Sequence, residues 1–221
     1  MLKMELHNRI IENKDWATLL FILCCVFVIL TKSTFENRFH DFKNLIFSER
    51  YIKIYKDYSH LMTWFTFLLF IVQILSFGFF IQYVMYYLGY ISKYDGVFFV
   101  KIITLVSFFV LAKYLIEKII ATSFDIEEFA EQYNMLKVSY RNYLAMLLLP
   151  ITIILFYNLD ISTAILQGII LLILFFNCII YLKGIKIFQK LIIGKMFYFI
   201  LYLCTLEIAP YYFMYHWFTR S

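Results

Sequence analysis

A chain of 221 residues that is 63% hydrophobic, with a mean hydropathy of +0.79, carries more apolar surface than a soluble core accounts for, since soluble domains sit near about 45–50% apolar. Only six glycines and two prolines interrupt its apolar runs, which excludes a membrane β-barrel of short alternating segments and predicts an all-α fold, a polytopic transmembrane helical bundle forming one domain over residues 1–221. The net charge of +5 informs through its placement rather than its size, and no nucleic-acid partner is expected.

Residues 1–15 are polar and balanced in charge, and Trp16 then stands where an interfacial aromatic belongs. The first predicted span, residues 16–31, is short for the ~20 residues a bilayer asks for. It begins too late and lacks the small-x-small site of a cleavable signal, so it reads as a retained signal-anchor. A first amphipathic segment follows at 35–56. Phe35, Phe39, Phe42 and Ile46 share one helical face, among Lys32, Arg38, Lys43, Arg50, Lys53 and Lys56. Such a basic helix either lies in the headgroup layer or packs on the loops of its own bundle.

The stretch from Leu61 to Tyr90 has no charge at all. It predicts a span near 61–84 with an aromatic end (Tyr83, Tyr86, Tyr87, Tyr90), closed by Gly89 and the turn at 91–96. The third span, 97–119, is framed by Lys101 at one end and by Lys113, Glu117 and Lys118 at the other, with Glu117 four residues after Lys113 as in a helical ion pair. Residues 123–140 form the second amphipathic segment. Its apolar face is Ile126, Phe129, Tyr133 and Leu136, while Asp125, Glu127, Glu128 and Glu131 make its start acidic, as a helix dipole favours. A fourth span at 142–158 should kink at Pro150. The fifth, 161–182, bears Gln167 and Asn177; a basic linker (Lys183, Lys186, Lys190, Lys195) leads to the sixth, 196–215.

Lys3, Arg9, Lys14, Lys93, Lys101 and Arg220 fall on one side of this arrangement, and the other fourteen of the twenty Lys/Arg on the other. The positive-inside rule then places the first, third and fifth loops in the cytoplasm and both termini in the periplasm of a bacterial inner membrane. Arg38, Lys43 and Arg50 on the basic segment, and Glu127, Glu128 and Glu131 on the acidic one, form a candidate surface for partner or lipid; on the same side of the membrane, they could also pair.

No phosphate-binding glycine loop, H-E-x-x-H, G-x-S-x-G or carboxylate-pair constellation is present. The four cysteines all lie in apolar runs and the four histidines are scattered, so neither disulfides, a metal nor a cofactor is expected. Polar residues inside spans are the remaining candidates: Gln73, Gln82, Lys101, Gln167, Asn177 and Glu207. An intramembrane acid must be paired or neutral, and Pro210, three residues on, leaves the Leu206 carbonyl without its helical donor. With ~1.5 Å of rise per residue, Gln167 and Glu207 lie at similar depth, roughly 10 Å below the outer ends of their spans. Lys101 could reach toward the acid. The plainer reading of these groups is polar glue between helices, worth under ~1 kcal/mol per hydrogen bond.

The closing run Leu201, Tyr202, Cys204, Thr205, Glu207, Pro210 reads L-Y-x-C-T-x-E-x-x-P. With Asp15-Trp16 before the first span, the chain resembles the small integral-membrane family of Bacteroidota catalogued as domain of unknown function 4271. The resemblance implies an inner-membrane helical protein, with a gene often placed beside that of a haem-pathway enzyme, and brings no assigned activity. The function expected is a scaffold or accessory subunit of a membrane complex rather than an enzyme, with catalysis left open, whose partner is the lipid bilayer and which could also meet a membrane protein or a second copy of itself. The alternative is a small transporter or lipid-processing membrane enzyme using Glu207 with Lys101. A third reading, a haem-like or quinone molecule held among the aromatics, has only His216 as a sensible ligand.

Overall fold

A computed structural model describes residues 14–45, 50–55, 63–123, 127–158 and 162–187, and all regular structure among them is helical. Seven helices follow in order: α1 (Asp15–Thr34), α2 (Glu36–Lys43), α3 (Arg50–Tyr55), α4 (Trp64–Tyr87), α5 (Gly96–Ser123), α6 (Glu127–Tyr157) and α7 (Thr163–Ile187). Five of them, α1 and α4 to α7, are long and apolar enough to cross a membrane. Helix is the expected outcome, because backbone amides in hydrocarbon have no water to turn to and an α-helix satisfies them within one segment. The sixth predicted span, 196–215, lies outside the described residues.

Local chemistry sets the boundaries. The Thr63 hydroxyl caps α4 by accepting from the Thr66 amide. At its other end Gly89 adopts a left-handed φ of +81°, and the amides of Gly89 and Tyr90 return to the carbonyls of Tyr86 and Met85, a Schellman closure that only a residue without Cβ makes cheaply. Asp95 then caps α5, its Oδ1 accepting from the Phe98 amide at 3.0 Å. The turn read from the sequence at 91–96 is therefore a stop and a start in immediate succession.

One boundary differs from the sequence reading. Residues 123–140 and 142–158 were expected as an amphipathic segment and a separate span, but α6 runs unbroken from Glu127 to Tyr157 and through Pro150. Neither glycine nor proline stands between Glu127 and Leu149, so nothing local ends the helix where its surface changes from polar to apolar. The acidic start of α6 thus projects beyond the apolar belt as an extension of the span.

α4 and α6 run in the same direction and form the centre, each burying 56% of its spanning window, against 22% for α1, 17% for α5 and 11% for α7. Small residues let the two approach. Ser76 Oγ donates to the Ala145 carbonyl at 3.1 Å, the kind of close backbone contact that packing in lipid rewards. Gly78 does the same for α4 and α5, since a Cβ there would stand 3.2 Å from Ile103 Cγ1 and 3.4 Å from Phe99 Cε2. Around the start of α1, the rings of Trp16, Phe21, Phe79, Phe99 and Phe156 interlock, with Phe79 stacked on Phe21 at 4.1 Å and on Phe99 at 4.3 Å between centroids. At the opposite end α2 and α3 fold back onto the bundle, and Phe42, Leu45 and Tyr51 are buried in one cluster with Phe65, Tyr133, Leu136 and Tyr140.

Candidate functional site

The buried charged side chains of the described bundle stand toward its two ends. At the end carrying α2 and α3, α5 turns Lys113, Glu117 and Ala121 inward, all buried at four-residue spacing. Glu117 Oε1 receives a hydrogen bond from Lys137 Nζ of α6 at 2.9 Å, with only 4% and 3% of the two residues exposed. The Lys137 ammonium also lies 4.8 Å from the Tyr133 ring centroid, and Asn134, Ser139 and Asn142 are buried along the same stretch of α6. Two desolvated charges hold each other only if both stay, because either alone in such a place is very costly. The pair ties α5, most of whose surface faces outward, to the centre in one rotational setting. It is a neutralised strut between helices.

Beside it the Arg38 guanidinium is folded inward rather than outward. It donates to Thr63 Oγ1 at 2.9 Å and to the Tyr51 hydroxyl at 3.3 Å, and covers the rings of Phe65 and Tyr55 at 4.5 and 5.0 Å. Cation–π contact on two faces with two directed hydrogen bonds is the use to which arginine is best suited. Arg38 thereby joins α2 to α3 and to the cap of α4.

At the opposite end Lys93, in the turn between α4 and α5, is 5% exposed. Its ammonium donates to the Asn158 carbonyl at 2.6 Å and lies 5.3–5.9 Å from the ring centroids of Tyr83, Tyr86, Tyr94 and Phe156. Asn158 follows the last residue of α6, so this cation sits at the negative end of that helix. Gln82, fully buried, sends Nε2 to the carbonyls of Lys93 and Asp95 at 3.2 and 3.0 Å, which fixes the turn in place. Gln82 Oε1, the Tyr94 hydroxyl and Asn142 Oδ1 are buried with no hydrogen-bond partner among the described residues.

With this arrangement in view, the family described as Domain of unknown function (DUF4271) matches residues 17–218. The chain belongs to this family. No curated protein and no solved structure matches it.

In this DUF4271 chain the residues singled out from the sequence are dispersed. Lys101 and Gln167 are both exposed, on α5 and α7 respectively, and no hydrogen bond joins them. Glu207, Pro210 and His216 lie outside the described residues. Lys43 is exposed; so are Glu127 and Glu131. Arg50 opens α3 and Glu128 lies in the first turn of α6, but their side chains, too, lie outside what is described. Among the described residues no group of three or more His, Cys, Asp or Glu side chains could hold a metal. The features that reading by sequence missed are the Glu117–Lys137 strut and the caged Lys93. A signal for the first was present: Lys113 and Glu117 interrupt one face of an otherwise apolar helix at a spacing of four, and charges in a span turn inward. Nothing local distinguishes Lys93 from any exposed turn lysine.

Proposed function

We propose that this chain is a multi-pass protein of the bacterial inner membrane that serves as a scaffold or accessory subunit of a membrane complex. The observation that carries this reading is how the described bundle uses its charge and its apolar surface. The buried charges placed so far join helices to each other, as Glu117 does to Lys137 and Lys93 to the end of α6. Meanwhile α5 and α7 leave large side chains uncovered along their spans, Phe108 at 74% and Phe175 at 64% exposure among them. Faces of that kind meet lipid or another membrane helix. A photo-crosslinking residue at Phe108 or Phe175 should give a discrete protein adduct, heterologous or with a second copy of this chain, in native membranes. Lipid adducts alone at both positions would remove the case for a scaffold.

The excess of basic residues on the α2–α3 side supports placing that side in the cytoplasm. Ser92 and Ser123, both exposed, stand at opposite ends of the bundle. With this orientation, a cysteine at Ser92 reacts with impermeant thiol reagent in spheroplasts, and one at Ser123 only after the membrane is opened. The reverse labelling pattern inverts the orientation.

A further inference from the structure

Two recesses meet at Tyr114. On the membrane side an apolar groove of about 260 Å³ runs between α4, α5 and α6, walled by Phe67, Phe70, Val110, Leu111 and Val138 with Tyr114 at its end. On the other side of the same tyrosine, a cleft of about 40 Å³ between α5 and α6 is bordered by Lys118, Glu127, Glu131 and Asn134. From Leu111 to Lys118 the helix rises about 10 Å. Trp64, 73% exposed at the start of α4, stands one turn from the groove residue Phe67, and an exposed tryptophan at the end of a span marks the membrane–water boundary. The groove therefore opens on the hydrocarbon side of that boundary and the cleft toward the headgroups.

We propose that this pair of recesses binds a phospholipid whose zwitterionic headgroup ends in a primary ammonium, with one acyl chain in the groove. The charges of the cleft fit that molecule. Lys118 offers one cation for the phosphate, and Glu127 and Glu131 offer two carboxylates for the ammonium. None of the three side chains has an ion pair or hydrogen bond among the described residues. Asn134 is 6% exposed, borders the cleft and has no hydrogen bond among the described residues, so its amide is open to an occupant of the cleft. An anionic glycerol headgroup would bring no cation to the two carboxylates. A choline headgroup has no N–H to donate to them. Specificity thus rests on charge pattern and N–H donors together.

The test uses full-length protein, delipidated in mild detergent and offered an equimolar mixture of phosphatidylethanolamine, phosphatidylcholine and phosphatidylglycerol with identical acyl chains, read by native mass spectrometry. The ethanolamine lipid should be retained over each of the others by about fivefold or more. Glu127→Gln with Glu131→Gln, both at exposed positions, should bring the ethanolamine-to-choline ratio close to one. Val138→Phe, which fills the groove, should lower retention of all three lipids in a protein that still elutes as a single species. Equal retention of the three lipids by the unaltered protein overturns the proposal, and so does preference for the glycerol lipid or a ratio that the double glutamine variant leaves unchanged. Because the comparison of headgroups is made on the unaltered protein, a Val138→Phe variant that fails to fold does not rescue it.

Discussion

Replacing Glu117 by leucine should destabilise this protein by about 3–5 kcal/mol, the usual cost of removing one partner from a buried ion pair. The carboxylate is 2.9 Å from Lys137 Nζ, and both residues are almost wholly out of solvent. Leucine is close in size to glutamate, so the loss comes from the lysine left without its acid rather than from a cavity. Adding Lys137→Met should then recover most of the stability, since replacing both members of such a pair by apolar residues is often neutral. Thermal unfolding in detergent can be followed through the Cys24 thiol, which is fully buried, in a background where the other three cysteines are replaced by serine, so that a thiol-reactive dye reacts only when the bundle opens. A single variant as stable as the parent would mean that the pair is solvated. A double variant no better than the single would mean that the buried lysine charge is not the source of the loss.

Lys93→Met should cost about 2–3 kcal/mol. Its ammonium donates to Asn158 at 2.6 Å among four aromatic rings. A hydrogen bond involving a charged group is worth about 1.5–3 kcal/mol, and a partly buried cation at a helix C-terminus up to about 2 kcal/mol. These contributions overlap, so the expectation is less than their sum. Methionine keeps the stem packed against the rings and removes only the charge and its donors. The loss should be local, with faster amide exchange in the last turn of α6, from Ile154 to Asn158. Unchanged exchange there with lowered global stability would show that Lys93 acts through the packing of the turn and not through the helix end.

The two predictions differ in how far the sequence foreshadowed them. Charges at Lys113 and Glu117 within a span announce an inward face, but reading along the helix joined Glu117 only to its neighbour four residues back. Its partner in space, Lys137, was assigned to a separate surface segment. A change from polar to apolar surface is not in itself a helix boundary, and α6 contains no glycine or proline that stops a helix there. Arg38 shows a related difference. The basic segment that carries it can lie in the headgroup layer or pack on its own bundle, and the fold takes the second course, wrapping the guanidinium in Phe65, Tyr51 and Tyr55; those rings are 13 to 27 residues away along the chain.

What the sequence by itself determined is the set of membrane-length helices among residues 14–187 and the turn between α4 and α5. Hydrophobic run length, the left-handed glycine at 89 and the Asp95 cap are all local properties, and in lipid the backbone has no alternative to satisfying itself. What only the tertiary structure decided is which face of each helix turns inward. Spans such as α4, α5 and α7 are apolar nearly all round, so hydrophobicity hardly distinguishes a face toward lipid from a face toward protein. That choice falls to steric fit and paired charge, at Gly78 against Ile103, at Ser76 against the Ala145 carbonyl and at Glu117 against Lys137, between residues that only packing brings together.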